Sequence, residues 1–453
     1  MIFKGTAIAE CLYNTSQYSI HQLSGQFGNC LIKSNKSNLN TLKSRIKPLA
    51  VEDGRPHQWK VQFMIHISKR KEIRSHTSLR GWAALMVVFV HFRSFFHSSI
   101  DPDEITFFLY KGYLWVDFFF ILSGFVMAYV YDIEHPRRYS MRDTLHYLIA
   151  RIARIYPLHF ITLLATMFFF TLMALINWGL GEEACCLFDD SLRTAESLAA
   201  NLLLIHSWGM FDWVTWNLPS WSLSAELFCY LIFAVLLTIN GENRKLALVA
   251  LSCTTALFYC LCIATGSDVD ENFRLSAVRA LSAFTIGMML FLGREVVSTL
   301  SDTSLTCIQV AACIALFLAL HFGLTDIISI GLMALIVLVT WEDRGYLCQC
   351  LDTRYLHTIG VLSFSIYMWH YLIKFIAKQD WESLTGLPVQ SSALGSILFV
   401  AGMIGLIVPI AIWSYRHLEM PTRKWINVRL IGLLEGKQTL GWQWIWVPSD
   451  RKR

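Results

Sequence analysis

The sequence predicts an all-helical integral membrane protein with about ten transmembrane helices and with both termini in the cytoplasm. Three observations support this fold class. Hydrophobic residues make up 55% of the chain and charged residues 16%, whereas soluble domains carry about 25% charged residues. Apolar runs long enough to cross a bilayer recur along the chain, and the loops between them alternate between basic and acidic.

Residues 1–72 differ from the rest of the chain, because they are rich in Asn, Ser, Lys and Gln and lack a continuous apolar core. We therefore expect a disordered cytoplasmic extension and no cleaved signal peptide. Met64, which lies just ahead of a Lys-Arg-Lys cluster, is an alternative start of the biological chain. The membrane domain is predicted at residues 73–425, and a cytoplasmic C-terminal tail is predicted at 426–453.

The predicted spans are apolar runs of about 17–25 residues, the length that a helix needs to cross the hydrocarbon core. A shorter run at 196–208 is predicted to be re-entrant or interfacial. The spans are placed at residues 80–98, 112–132, 157–178, 222–239, 245–264, 277–295, 303–321, 323–341, 358–377 and 393–415.

Loop charge tests this count, because cytoplasmic loops carry an excess of Lys and Arg. With both termini placed in the cytoplasm, the basic loops all face the cytoplasm and the acidic loops all face the opposite side. The link between the second and third spans holds most of the basic residues, namely Arg137, Arg138, Arg142, Arg151 and Arg154.

The first span carries an arginine and a histidine on one face of a helix. Arg80 and His91 are eleven residues apart, which separates them by about 16 Å along a helix axis. An ionisable residue inside a bilayer costs about 2.5–3.5 kcal/mol and normally faces a bundle interior or an aqueous cavity. We therefore expect a polar path through the bundle, with Arg80 at its cytoplasmic mouth and His91 near mid-membrane.

The same topology predicts how deep four more polar residues lie in the membrane. Arg151 and Arg154 come at the cytoplasmic end of the third span, where guanidinium groups suit an anionic, phosphate-bearing donor. Asp117 and Glu226 come near the external ends of their spans, where carboxylates suit a hydroxylated acceptor. His91, between the two groups, could take a proton from an attacking hydroxyl near neutral pH.

Structural alternatives exist for these residues. Arg151 and Arg154 could act only as topology determinants at the headgroup interface. Asp117 and Glu226 could be buried ion-pair partners of Arg279.

His370, also predicted near mid-membrane, could be a hydrogen-bonding residue between helices. The cysteines lie mostly in apolar runs and lack paired CxxC spacing, so no metal site is assigned.

Six motifs occur in the same order as in a known family. They are Arg80 to His91, Val116-Asp117 to Ser123-Gly124-Phe125, Arg151-x-x-Arg154-x-x-Pro157, Trp221 to Glu226, Ser363 with Tyr367 and His370, and Glu419-x-Pro421. Over residues of about 73 to 425 the chain resembles the acyltransferase 3 family, integral membrane enzymes that O-acylate carbohydrates.

The resemblance implies an acyl-CoA donor, with acetyl-CoA expected, and an acceptor hydroxyl on a lipid-linked or surface glycan. It also implies that Arg80 and His91 are essential and that Arg151 and Arg154 hold the CoA end. Because the family is largely bacterial, a multi-pass location in the inner (cytoplasmic) membrane is expected. Membrane lipid is an expected partner, whereas neither a metal nor a nucleic acid is.

On this basis we predict an O-acetyltransferase-type enzyme with His91 as general base, Arg80 orienting it, and Asp117 and Glu226 lining the acceptor side. A direct transfer is favoured over an acyl-enzyme, because the chain lacks a Gly-x-Ser-x-Gly motif. The alternative is a transporter or flippase that moves a glycan or lipid without acyl transfer, since intramembrane ionisable residues also suit that role. The predicted substrate-binding residues are Trp221, Ser222, Tyr367 and His370.

Overall fold

The computed structural model describes residues 70–96, 105–134, 139–179, 193–270, 273–385 and 392–434. Over these residues the chain is helical and contains no β-strand. The predicted all-helical membrane class is therefore confirmed. The predicted N-terminal extension and C-terminal tail lie largely outside the described residues, and the three-part division of the chain stays a prediction.

The described residues form fourteen α-helices. Short 3₁₀ turns lie at Arg93–Phe95, Tyr110–Tyr113 and Phe273–Leu275, and a π turn lies at Tyr415–Glu419. In chain order the helices are α1 (Arg74–Phe92), α2 (Leu114–Tyr131), α3 (Met141–Gly179), α4 (Ala195–Leu202), α5 (Ser220–Thr238), α6 (Gly241–Thr265), α7 (Ser276–Leu292), α8 (Glu295–Ser298), α9 (Asp302–His321), α10 (Asp326–Val339), α11 (Tyr346–Leu351), α12 (Arg354–Thr385), α13 (Ala393–Ser414) and α14 (Met420–Leu434).

A helix lies at each predicted span. In the described part of the chain, 8 helical segments are long and apolar enough to cross a membrane by length and composition. The other two predicted spans correspond to α1, of 19 residues, and α10, an apolar helix of 14 residues. The count of ten spans and the cytoplasmic placement of both termini therefore stay predictions. The short run at 196–208 forms α4 and the turns that follow it.

The first helix begins earlier than predicted, at Arg74 instead of residue 80. Its polar first turns are buried and find partners far away in the sequence. The backbone N–H of Ser75 donates to Asp343 Oδ1 at 2.9 Å, and Ser78 Oγ donates to the Leu351 carbonyl at 2.8 Å. Because these partners satisfy the polar groups, the helix extends into residues that hydropathy alone excludes.

The end of α1 determines where His91 lies on the helix. Since α1 ends at Phe92, His91 lies in the last turn of the helix. The depth of His91 near mid-membrane stays a prediction.

Two glycines bring α1 and α12 into backbone contact. A Cβ atom added to Gly360 would lie 2.0 Å from the Thr77 carbonyl oxygen, and one added to Gly81 would lie 2.5 Å from the Gly360 nitrogen. Small residues allow membrane helices to approach this closely. The two helices run in the same direction, because the end of α1 also meets α12, where the His91 and His370 rings are in contact.

Helices α2 and α7 approach each other in the same way. A Cβ atom on Gly124 would lie 2.0 Å from the Phe284 carbonyl oxygen, and one on Gly287 would lie 2.0 Å from that of Ile121. Backbone contact at these positions leaves no room for a side chain.

The π turn joins α13 to α14 and is bonded to α12. Trp369 Nε1 donates to Ser414 Oγ at 2.9 Å, and Ser365 Oγ donates to Glu419 Oε2 at 2.9 Å. Glu419 is buried. These bonds fix the start of α14 against the bundle.

Candidate active site

A cavity of about 90 Å³ lies between α1, α2, α3, α5 and α12. Phe119, Phe120 and other apolar side chains form part of its wall. The predicted site residues that line the cavity are Arg80, Arg151, Arg154, Ser222, Glu226 and Tyr367. The fold therefore brings together residues from five helices that the sequence separates by up to 287 positions (367 − 80).

Glu226 is held at the cavity wall by two hydroxyl groups. Its Oε1 accepts from Ser123 Oγ of α2 at 3.0 Å and from Tyr230 OH, one turn further along α5, at 2.5 Å. The carboxylate also lies within electrostatic reach of Arg151. Glu226 and the arginines therefore line one cavity. The sequence had instead predicted that the histidines lie between the arginines and the carboxylates.

Two arginines of the cavity wall have a third arginine near them. Arg151 and Arg154 are three residues apart on α3, so they lie on neighbouring positions of one helix face. Arg423 of α14 lies close enough to repel both electrostatically. The Nε atom of Arg151 is buried and has no hydrogen-bond partner in the described part of the chain. Like charges held together at low dielectric favour the binding of an anion.

Arg423 was missed as a site residue by the sequence analysis. In the sequence it is one of several basic residues near the C-terminus. The available signal was its position two residues after Pro421 of the Glu419-x-Pro421 motif. Its approach to α3 depends on the path of α13 and the π turn, which the sequence pattern does not give.

Arg80 lies on α1 at the same cavity as Arg151 and Arg154. Its Nη2 donates to Thr77 Oγ1 at 3.3 Å. Arg80 and His91 are on one helix as predicted, but His91 is not among the residues that line the cavity.

His91 and His370 form a pair next to the cavity. Their ring centroids are 5.1 Å apart with an interplanar angle of 32°, and the Tyr371 ring lies 5.3 Å from that of His91. His370 is fully buried, whereas His91 is half-buried. The sequence predicted both histidines at similar depth, and the structure places their rings in contact.

Tyr367 joins the cavity to the histidine pair. Its hydroxyl lies 2.8 Å from Ser222 Oγ of α5, and its ring centroid lies 5.7 Å from that of His370. The predicted substrate-binding residues Ser222 and Tyr367 therefore contact each other, with Tyr367 between the cavity and His370.

Asp117 lies apart from the cavity, in a buried ion pair with Arg279. The Arg279 Nη2 to Asp117 Oδ2 distance is 2.6 Å, and Nε contacts the same carboxylate at 3.0 and 3.2 Å. The Arg279 guanidinium also lies 5.5 Å from the Trp221 ring centroid. The ion pair with Arg279 was the structural alternative considered for both Asp117 and Glu226, and Asp117 forms it. Glu226 instead accepts hydrogen bonds from Ser123 and Tyr230. Roles for Asp117 and Trp221 at an acceptor site stay predictions.

A second ion network lies beside this pair. Lys111 Nζ contacts Asp268 at 2.6 Å and Asp326 at 2.9 Å. Asp270, in the loop after α6, lies within electrostatic reach of Arg279. These contacts tie the start of α2 to the loop after α6 and to α10.

Over the described residues, no group of three or more His, Cys, Asp or Glu side chains is placed to hold a metal ion.

A family model described as an acyltransferase domain matches residues 76–416 of the chain. Acyltransferase MdmB of Streptomyces mycarofaciens is 32% identical over 164 residues, which cover 35% of this chain and 38% of that protein. Peptidoglycan O-acetyltransferase OatA of Listeria monocytogenes is 23% identical over 385 residues, which cover 78% of this chain and 56% of OatA.

A protein of Komagataeibacter xylinus named as a membrane-bound transacylase, BcsY, is 23% identical over 378 residues, 80% of this chain and 86% of its own length. The chain thus spans 38% and 56% of the lengths of MdmB and OatA. No solved structure matches the chain.

Proposed function

Because the chain belongs to the acyltransferase 3 family, we propose that it is a membrane O-acyltransferase that moves an acyl group from acyl-CoA to a hydroxyl of a lipid-linked or cell-surface glycan. Acetyl is the expected acyl group. The observation that carries this proposal is one cavity lined by Arg80, Arg151 and Arg154 together with Glu226 and Tyr367. It combines groups that bind phosphate with groups that bind hydroxyls.

The arginine side of the cavity suits the donor. Arg151 and Arg154, with Arg423 beside them, present guanidinium groups that bind phosphate oxygens in bidentate fashion. The phosphates of CoA relieve the repulsion among these like charges when they bind. Arg80 lines the same cavity and precedes His91 by eleven residues on α1.

The hydroxyl-rich side of the cavity suits the acceptor. Ser222, Tyr367 and Glu226 offer donors and acceptors for sugar hydroxyls. In the reaction, an acceptor oxygen attacks the thioester carbonyl carbon, a C–O bond forms and the C–S bond breaks. His91 takes the hydroxyl proton and passes it to the departing thiolate, so that CoA leaves as a thiol.

The relatives support a glycan acceptor and a bacterial location for this activity. OatA is named as a peptidoglycan O-acetyltransferase, and the named organisms are bacteria. We place this protein in the cytoplasmic membrane, with the donor entering from the cytoplasm and a glycan or glycolipid as the acceptor. Membership of an acyltransferase family favours this chemistry over the transporter or flippase alternative.

A thiol-release assay tests the proposal. Purified protein in lipid vesicles with acetyl-CoA and membrane glycan should release free thiol and add an acetyl mass to the glycan. His91→Ala should lower the rate by about 10²-fold or more, because a general base contributes on that scale.

His417→Ala is the matched control, since His417 is exposed and lies outside the cavity lining; its rate should equal that of the unchanged protein. Glycan transport without thiol release from any acyl-CoA would overturn the proposal in favour of a transporter.

A further inference from the structure

We propose that His370 is the positioning residue of His91: its Nε2 accepts a hydrogen bond from a His91 ring N–H and so leaves the other His91 nitrogen free to accept a proton. This inference rests on the proposed acyl transfer with His91 as base. It assigns His370 a role distinct from binding substrate.

The hydrogen bonding of His370 fixes its tautomer. Nδ1 lies 2.6 Å from the carbonyl oxygen of Tyr367. A carbonyl can only accept, so Nδ1 carries the proton and Nε2 of the neutral ring is an acceptor. Nε2 is buried and has no partner over the described residues. A buried acceptor left without a donor costs about 1–3 kcal/mol, so a donor that reaches it is favoured.

The His91 ring is placed to supply that donor. Its centroid lies 5.1 Å from that of His370, and the planes are tilted by 32°. The His91 side chain turns about its Cβ–Cγ bond, a torsion with a broad preference. In our proposal, such a turn directs one His91 ring N–H at His370 Nε2. Both rings would then be fixed by a single series of hydrogen bonds that ends at the Tyr367 carbonyl.

Backbone packing between α1 and α12 sets the position of the two histidines along the helix axes. Gly81 and Gly360 bring α1 and α12 into contact, and each histidine follows its glycine by ten residues (91 − 81 and 370 − 360). Since the helices are parallel and rise by about 1.5 Å per residue, both histidines lie about 15 Å beyond the glycine contact. The pairing is therefore part of the helix register.

A neutral histidine is a suitable orienting group here. A base held by a third group is the usual arrangement in acyl transfer, and the third group is often a carboxylate. In a buried site a second charge would need its own solvation. Among the described residues, the charged and titratable groups that face the pair are Tyr367, Tyr371 and Lys374 of α12 and Arg93 of the turn after α1.

The test replaces the acceptor nitrogen. His370→Phe should lower kcat for thiol release by about 10- to 100-fold, by analogy with groups that orient metal-binding histidines. The KM for acetyl-CoA should change less than about twofold, because the arginines that bind the donor are untouched. His370→Gln keeps an acceptor oxygen. Its decrease in log kcat should be smaller than that of His370→Phe by at least about a third.

His159→Phe is the matched control. His159 is equally buried, has one ring nitrogen 2.9 Å from the Asn201 carbonyl and leaves the other without a partner in the described part of the chain. It stacks on His206 away from the cavity. His159→Phe should match His370→Phe in thermal stability and retain the kcat of the unchanged protein.

A double-mutant cycle completes the test. If the two histidines act as a unit, adding His370→Phe to His91→Ala should slow the residual reaction by less than about twofold. Unchanged kcat in His370→Phe, or independent effects in the cycle, overturns the positioning role. If the unchanged protein releases no thiol, it is the proposed function that fails, which separates the two outcomes.

Discussion

A guanidinium group from the C-terminal segment lies beside two from α3. Arg423 is half-buried and within electrostatic reach of Arg151 and Arg154. Glu226 lies within electrostatic reach of Arg151, and Glu419 lies within reach of Arg154 and Arg423. Three guanidinium groups therefore share two carboxylates, and the excess of positive charge favours an anion. At the residue scale, the proposed donor site therefore combines two arginines of α3 with one from α14, near the end of the membrane domain.

Arg423→Gln should weaken donor binding. We expect the KM for acetyl-CoA to rise by about 10-fold, since a hydrogen bond to a charged group contributes about 1.5–3 kcal/mol. The kcat should change little, because the substitution leaves the histidine pair intact. Initial rates over a range of acetyl-CoA concentrations measure both parameters.

Arg416→Gln is the control for Arg423→Gln, because Arg416 lies on the adjoining π turn and is exposed. It removes the same charge a few residues earlier in the chain. Equal KM values for the two variants would argue against a specific contact of Arg423 with the donor.

At the scale of elements, the contact between α1 and α12 depends on the absence of a side chain at Gly360. The Thr77 carbonyl would lie 2.0 Å from an added Cβ, so the helices must separate to accept one. Because α1 carries Arg80 and His91 and α12 carries Tyr367 and His370, any separation moves all four.

Gly360→Ala should lower the thermal stability and the kcat together. Overpacking of this kind costs about 1–3 kcal/mol, which exceeds the helix-propensity gain of about 1 kcal/mol from replacing Gly. Thermal unfolding in detergent and thiol release measure the two effects. Gly405→Ala is the control, because a Cβ at Gly405 of α13 meets nothing within 4 Å; it should be neutral or slightly stabilising.

The start of α1 illustrates which element boundaries the sequence can predict. Hydropathy located a helix at each apolar run, because lipid requires long apolar segments. It placed the start of α1 too late, because Ser75 and Ser78 are polar. Their partners, Asp343 and Leu351, are more than 260 residues away in the sequence. A boundary that depends on such distant partners does not follow from a local pattern.

At the scale of the whole molecule, the buried pair of Asp117 and Arg279 holds α2 to α7 across 162 positions of the sequence. Removing one partner leaves a buried charge without compensation, which costs about 3–5 kcal/mol. Replacing both with apolar residues leaves no such charge.

Asp117→Leu should therefore destabilise the protein strongly, and Asp117→Leu combined with Arg279→Leu should recover much of that loss. Thermal unfolding of the two single variants and the double variant measures the coupling. A double variant that is stable and active assigns the pair a structural role. A stable double variant without thiol release points to the acceptor role predicted for Asp117.

The sequence predicted the members of the candidate site better than their arrangement. Arg80, Arg151, Arg154 and Glu226 were each identified from motifs, and they line one cavity. The expectation that histidine separates arginines from carboxylates followed from depth along single helices. Depth does not specify which helices are neighbours, and so it did not predict the place of Glu226 among the arginines.

The π turn at Tyr415–Glu419 determines the direction around the axis of α14 in which each later side chain points. Successive residues of an α-helix advance by about 100° around the axis. Deleting a single residue from this turn would rotate α14 by about that angle and carry Arg423 away from α3. Five residues of irregular helix therefore decide whether Arg423 faces the interior of the bundle or its surroundings.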